Sequence, residues 1–190
     1  MRLLAALAAV LLAPATLPVG AFALRPPESL VRFIVRDNRG GFVGETREVS
    51  GTVVVRQGEG GYVAEVAAQV DARTIRTGVA LRDAQMRSPG YLHTAAHPFI
   101  TFSGTALAPA AAPPQFPALL RGQLTVRGVT REVEVPLNVT VQGNTYTAEG
   151  ALVVRFTDFG LPVPRFLFFV AEDAVHITLQ VRLHPREPSS

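Results

Sequence analysis

The chain has 190 residues, with 18 basic side chains, all arginine, against 15 acidic ones, for a net charge of +3. The arginines are scattered singly among Asp and Glu, which excludes the clustered basic face of a nucleic-acid binder. With no cysteine, disulfides and thiolate chemistry are excluded too, and the fold must stand on packing alone.

The chain opens on one positive charge, Arg2, and an unbroken apolar run over residues 3–12. Small residues and two prolines follow, ending in Ala21-Phe22-Ala23. A basic start, a short apolar run and an A-x-A site predict a secretory signal peptide over residues 1–23, cut after Ala23. A cut after Ala15 would leave little room beyond the apolar run. That run is shorter than the roughly 20 residues that span a bilayer, and no Cys follows to carry a lipid anchor. The mature protein is therefore expected to be exported, periplasmic or extracellular, with one domain over residues 24–184 and a loose tail over 185–190.

From there the pattern is that of strands. The first three are expected over residues 30–35, 48–56 and 62–71, the latter two separated by Gly58-Glu59-Gly60-Gly61. That glycine cluster is a hairpin turn and not a phosphate loop, since no helical pattern follows it. Residues 77–98 break the strand pattern. Thr77 can cap a short helix through Val79 to Met86, with Asp83 and Arg87 at i,i+4, and Ser88-Pro89 reads as a second helix start. Strands resume over residues 99–107, then a Pro/Ala-rich surface loop over 109–117 precedes a strand over 120–127. Two further strands, 131–141 and 146–154, turn at Gly143-Asn144, and the last covers 175–183. In the strand over 131–141, Val133, Val135, Leu137, Val139 and Val141 share one face, and in the last strand Val175, Ile177, Leu179, Val181 and Leu183 do the same. Such period-two alternation means antiparallel strands, one face buried and one wet. The fold class is all-β. Eight strands and a small helical insertion read as a closed up-and-down barrel, although a two-sheet sandwich fits the same alternation.

Three motifs make the reading specific. The first is Arg82-Asp83-Ala84-Gln85-Met86-Arg87-Ser88, with Tyr91-Leu92 and His97-Pro98-Phe99-Ile100-Thr101-Phe102 after it and residues 72–78 before it. The second runs from Gly122 to Thr130 and on through Val133-Glu134-Val135-Pro136-Leu137, and the third is Arg155-Phe156-Thr157-Asp158-Phe159-Gly160-Leu161. In this order, over nearly all of the mature chain, they resemble the signatures of the YceI-like family. Met86 stands where Leu or Phe is usual there, and Gly90, His93 and His97 replace common acidic or aromatic residues. The resemblance implies an eight-stranded antiparallel, lipocalin-like barrel that binds polyisoprenoids, such as the tails of respiratory quinones, and is often exported. A bound isoprenoid lipid or quinone is the expected partner, with no other cofactor and no metal.

The residues bear on that ligand independently. An eight-stranded barrel is either filled by its own side chains or holds one small ligand. Ala64, Ala68 and Ala148 on inward faces argue for a lumen with space. Gly51 and Gly122 argue less, because glycines also mark bends. The expected lining is Phe33 and Val53 on the early strands, then Ala64, Val66 and Ala68. Leu81 and Met86 come from the helix, and Phe102, Gly122 and Leu124 from the middle strands. Val135, Leu137, Ala148, Gly150, Leu152, Ile177 and Leu179 complete the wall. Phe159 and Phe168 belong to the phenylalanine-rich segment over 156–169. Pro162 and Pro164 keep that segment from being one strand, so it is either an apolar rim able to touch a membrane surface or a plug. A strand of about ten residues makes a barrel about 25 Å tall. Burying about ten methylenes at ~0.8 kcal/mol each is enough for micromolar binding before ordering costs.

Other chemistry finds little footing. His93 and His97 have i,i+4 spacing but lack a nearby third ligand, and read as a solvated pair. His176 and His184 fall on the polar face of the last strand. Ser103-Gly104 lacks the nucleophile-elbow pattern and no triad spacing is present, so no enzymatic activity is expected. Arg82, Asp83 and Arg87 form either a salt-bridged clamp on the helix or a polar contact to a quinone ring. The competing function is an envelope interaction module whose barrel is filled by its own side chains. Oligomeric state is not legible.

Overall fold

The computed structural model describes residues 17–110, 114–166 and 169–186, with backbone alone at Phe166 and Phe169. It is all-β. The strands are β1 (Gly20–Leu24), β2 (Leu30–Asp37), β3 (Phe42–Thr46), β4 (Val49–Gly58), β5 (Gly61–Asp71), β6 (Phe99–Pro109), β7 (Gln115–Val126), β8 (Val129–Gln142), β9 (Thr145–Arg155), β10 (Arg165–Phe166) and β11 (Phe169–Pro185), with one helix, α1 (Ala80–Arg87).

The wall has eight positions because two of them are shared. β1 and β2 both pair with β11, at its C-terminal and N-terminal parts, and act as one interrupted strand. β3 pairs with β2 and β4 with β1, so these two make the next position. From β4 the order runs through β5, β6, β7, β8 and β9 to β11, every pair antiparallel, and β1 closes the ring between β11 and β4. This is the closed barrel that the alternation allowed; closure pairs the long strands on both sides, while among the strands β3 pairs with β2 alone.

Tight turns set the registers. Gly58 faces Gly61 across the β4–β5 hairpin. Val126 faces Val129 across β7–β8, with Arg127 and Gly128 both at positive φ, 51° and 77°. That pair of left-handed residues is the hairpin geometry whose twist matches the strands on either side.

Several boundaries differ from the sequence reading. The Pro/Ala-rich loop is shorter, because β6 runs to Pro109 and β7 starts at Gln115. Phe116 is buried there, and Pro117 sits within the strand with an exposed side chain, opposite Asn138. Residues 88–96 form successive turns in place of a second helix. The Ser88 carbonyl accepts from the amides of Tyr91 and His93, and the His93 carbonyl from those of Ala96 and His97. β1 lies upstream of residue 24, where the domain was expected to begin, and its Phe22 is 1 % exposed. The apolar run over 3–12, where a leader was expected, falls on residues outside those described.

Beyond the end of β5, the chain patches the wall before turning back. Arg76 forms an isolated bridge with Glu45 of β3, the two residues exchanging backbone hydrogen bonds of 2.9 and 3.0 Å. α1 then covers the rim, and β6 returns beside β5 with Phe99 opposite Asp71.

Candidate functional site

Alternate residues of every wall strand point into one cavity of about 950 Å³, at the upper end of the size of small-molecule pockets. At mid-height Ala106, Leu120 and Val135 are buried, with Ala64, Val66, Phe102, Leu137, Leu152 and Leu179 packed around them. Their neighbours in sequence, such as Arg121 and Glu134, face outward and form a surface ion pair at 2.7 Å. The strand period thus separates an apolar lumen from a charged exterior.

One end is closed. Leu17, Phe22, Tyr62, Phe116, Tyr146 and Leu183 form a buried cluster there. The Tyr146 hydroxyl donates to the Pro18 carbonyl at 2.5 Å, and the Leu17 amide donates to the Tyr62 hydroxyl at 3.3 Å. Phe22 and Tyr146 meet edge to face, with centroids 5.0 Å apart. Burial, followed by the nearby Tyr62 hydroxyl, pushes the Tyr146 hydroxyl up to about 12.

The opposite end is the mouth, where the lining reaches α1, the β2–β3 turn and residues 155–165. Polar groups gather here: Asp37, Arg39, Arg82, Gln85, Arg155 and Arg165 all border the opening. Arg82 lies over the Phe42 ring at 4.3 Å, and Phe42 meets Phe33 edge to face at 6.2 Å. That stack joins α1 to the β2–β3 hairpin. Leu81, in the first turn of α1, is 73 % exposed at the rim.

The helix is fastened differently from the expected i,i+4 ion pair. Asp83 is buried, and its Oδ1 accepts from the Thr77 amide at 2.8 Å and the Thr77 hydroxyl at 2.6 Å. Thr77 therefore ties the preceding turn to the helix, while the N-cap position is Val79, with no side-chain cap. Arg87 donates from Nη2 to the Ile75 carbonyl at 2.9 Å. Burial by itself would raise the Asp83 pKa, but the two Thr77 bonds and the charges of Arg87 and Arg82 outweigh it and hold the carboxyl below its ordinary value. Asp83 and Arg87 thus clamp the insertion from the side away from the cavity, and of the three charged residues Arg82 alone borders the lumen.

Of the expected lining residues, Phe33, Val53, Ala64, Val66, Ala68, Leu81, Met86 and Phe102 border the cavity, as do Leu124, Val135, Leu137, Ala148, Leu152, Phe159, Ile177 and Leu179. Gly122 and Gly150 do not. A Cβ at Gly122 would land on the Ser103 carbonyl and 2.7 Å from Phe102 Cζ, and one at Gly150 would lie 2.6 Å from Leu137 Cδ2. Both glycines are covered by the backbone and side chains of the adjacent strand, so they serve close packing of the wall and add no space to the lumen. Phe168 lies outside the described residues.

The phenylalanine-rich segment begins as packed rim. Phe159 and Leu161 are buried with Val126, against Leu92, Ile100 and Phe156. Asp173 of β11 holds this turn through the Thr157 amide at 3.0 Å and hydroxyl at 2.6 Å. The sequence reading gave the floor tyrosines no role and did not anticipate the Phe42–Arg82 stack. Tyr62 and Tyr146 each stand second in a strand after a glycine-bearing turn, a visible signal. Leu17 sits in leader-like sequence and had none.

His93 and His97 are half-buried, their rings edge to face at 5.9 Å, and are not the solvated pair expected. His97 packs under Gly128, 3.3 Å from where a Cβ would stand, which places it against the β7–β8 turn. Among the described residues no group of three His, Cys, Asp or Glu side chains converges to hold a metal. His184 reaches Glu28 at 2.7 Å on the surface.

Known structures share this architecture. BcnA of Burkholderia cenocepacia superposes with a TM-score of 0.69 at 20% identity, over 84% of this chain and 98% of that one. A polyisoprenoid binding domain from Saccharophagus degradans, implicated in plant cell wall breakdown, gives 0.71 at 16% identity, over 88% and 99%. The YCEI protein of Campylobacter jejuni gives 0.56 at 13% identity, over 76% and 85%. At these identities the likeness is one of fold. No curated protein matches the chain. The sequence model of the YceI-like domain matches residues 22–183, which takes in all eight wall positions, the helical clamp and the packed rim, and the chain belongs to that family.

Proposed function

We propose that the protein is an exported, non-enzymatic carrier that holds the chain of a polyisoprenoid, of the quinone or prenyl type, inside its barrel. The observation that carries this is the cavity: about 950 Å³, apolar along its length, closed at the tyrosine floor and open beside α1. An unbranched polar cofactor would find few partners in such a lumen, whereas a hydrocarbon chain needs only burial, worth ~0.8 kcal/mol per methylene. The arginines and Gln85 at the rim place hydrogen-bond donors where a head group would emerge. Family membership and the polyisoprenoid-binding relative from Saccharophagus degradans support the same ligand class. An interaction module with a filled barrel has no use for a cavity of this volume.

Denaturing solvent extraction of purified protein, read by mass spectrometry, tests the reading directly. The expected result is a stoichiometric prenyl lipid, or, for lipid-free protein, uptake of geranylgeraniol or a short-chain ubiquinone. A protein that yields no lipid and takes up neither would sink the proposal.

A further inference from the structure

We propose that the leader is removed between Ala15 and Thr16, so that residues 17–24 remain as the floor and closing strand of the mature barrel. The inference rests on the export reading above and moves its cut eight residues upstream. A leader is cut at an A-x-A site a short distance beyond its apolar run. Two such sites follow residues 3–12: Ala13-Pro14-Ala15 and Ala21-Phe22-Ala23.

Processing comes before folding, so access does not choose between them. What the finished barrel requires does. β1 is the only described strand that pairs with both β4 and β11 at the floor, with Phe22 opposite Val53 on one side and Pro185 on the other. Phe22 is 1 % exposed and Leu17 6 %. The Ala21 carbonyl accepts from the Arg186 amide at 2.8 Å. A cut after Ala23 would remove Leu17, Pro18 and Phe22 together. The wall would then open between β4 and β11, and the Tyr62 and Tyr146 hydroxyls would lose the backbone groups they bond. A cut after Ala15 keeps every one of these contacts and leaves only Thr16 ahead of the first buried residue. The family match begins at residue 22, which such a cut also preserves intact.

The test uses the full chain expressed in a bacterium, with the product recovered from the periplasm or medium and read by N-terminal sequencing and intact mass. The expected first residue is Thr16. A product starting at Leu24 overturns this inference and leaves the export reading standing, whereas one retaining Met1 overturns both. Two variants separate the sites further. Ala15→Gln should accumulate unprocessed precursor. Ala21→Gln, whose side chain would point to solvent, should be cut and exported like the parent. Blocked processing in Ala21→Gln, with normal processing in Ala15→Gln, is the reverse pattern and overturns the assignment.

Discussion

Asp83 fastens its helix without an ion pair inside it. Its carboxylate takes both donors of Thr77, and hydrogen bonds to a charged acceptor are stronger than neutral ones. Asp83→Ala should therefore cost about 1–2 kcal/mol in chemical denaturation, with little change in lipid uptake. Its pH signature follows from the lowered pKa. The stabilisation is complete above the ordinary carboxylate value and is lost as pH falls through the lower folded value, so the parent should lose this increment on acidification below about pH 4 and the variant should not. The lumen-facing alanines make a different prediction. Ala64→Leu and Ala148→Leu add methylenes where the wall borders open space, so co-purifying lipid should fall severalfold while stability changes by less than about 1 kcal/mol. Gly122→Leu should instead destabilise by about 3 kcal/mol or more, because its Cβ meets the neighbouring strand's backbone and the Phe102 ring. Calorimetry beside lipid quantification on all three variants checks the contrast. If the two alanine variants unfold, the lumen has no room.

Among the elements, β1 and the two floor tyrosines act as a unit. Tyr146→Phe keeps the ring against Phe22 but leaves the Pro18 carbonyl without its donor, at a cost of about 1–3 kcal/mol. The tyrosine also carries a pH effect of known sign. Its hydroxyl is pushed up to about 12 from 10, so its contribution is complete below pH 10 and declines as pH rises toward 12. Between pH 10 and 12 the parent should lose stability faster than Tyr146→Phe, measurable as denaturation midpoints across that range. Identical alkaline slopes would mean that the hydroxyl is not buried as described. At the opposite end, the α1–hairpin stack and the packed turn over 157–161 set the width of the mouth without contributing to the ring of strands.

For the molecule as a whole, the barrel wall should be able to stand without ligand, because its cohesion comes from closed strand pairing and two packed end clusters. Binding then adds to an existing fold. With a prenyl alcohol at about 100 times its dissociation constant, the folded state gains about 2.7 kcal/mol. For a chain of this size that raises the melting temperature by roughly 5–10 °C. Differential scanning fluorimetry with geranylgeraniol, with a short-chain ubiquinone and with a soluble polar control checks this. The shift should survive high salt, since an apolar lumen offers little for ions to screen. Equal shifts with the polar control would argue against the lumen as the site.

What was legible in the sequence is what depends on periodicity. Val133 to Val141 and Val175 to Leu183 alternate so strictly that their strands, their buried face and most of the cavity lining could be read directly, because a two-residue period puts every second side chain inside. The three motifs, in order, carried the family. Features that depend on partners far along the chain were decided only by the tertiary structure. β1 was hidden because Gly20 to Leu24 has a leader's composition, and only pairing with β4 and β11, some 30 and 160 residues away, makes it a wall strand. Gly122 and Gly150 are counted in the lining by their place on inward faces, yet the β6 backbone and the Phe102 ring cover the first, and the Leu137 side chain and Pro136 carbonyl the second. Asp83 was given to Arg87 by helix spacing, but the fold brings Thr77 closer. Local sequence determines which face of a strand is apolar. Whether the faces meet around an empty volume or a filled one depends on closure, which no segment of this chain contains by itself.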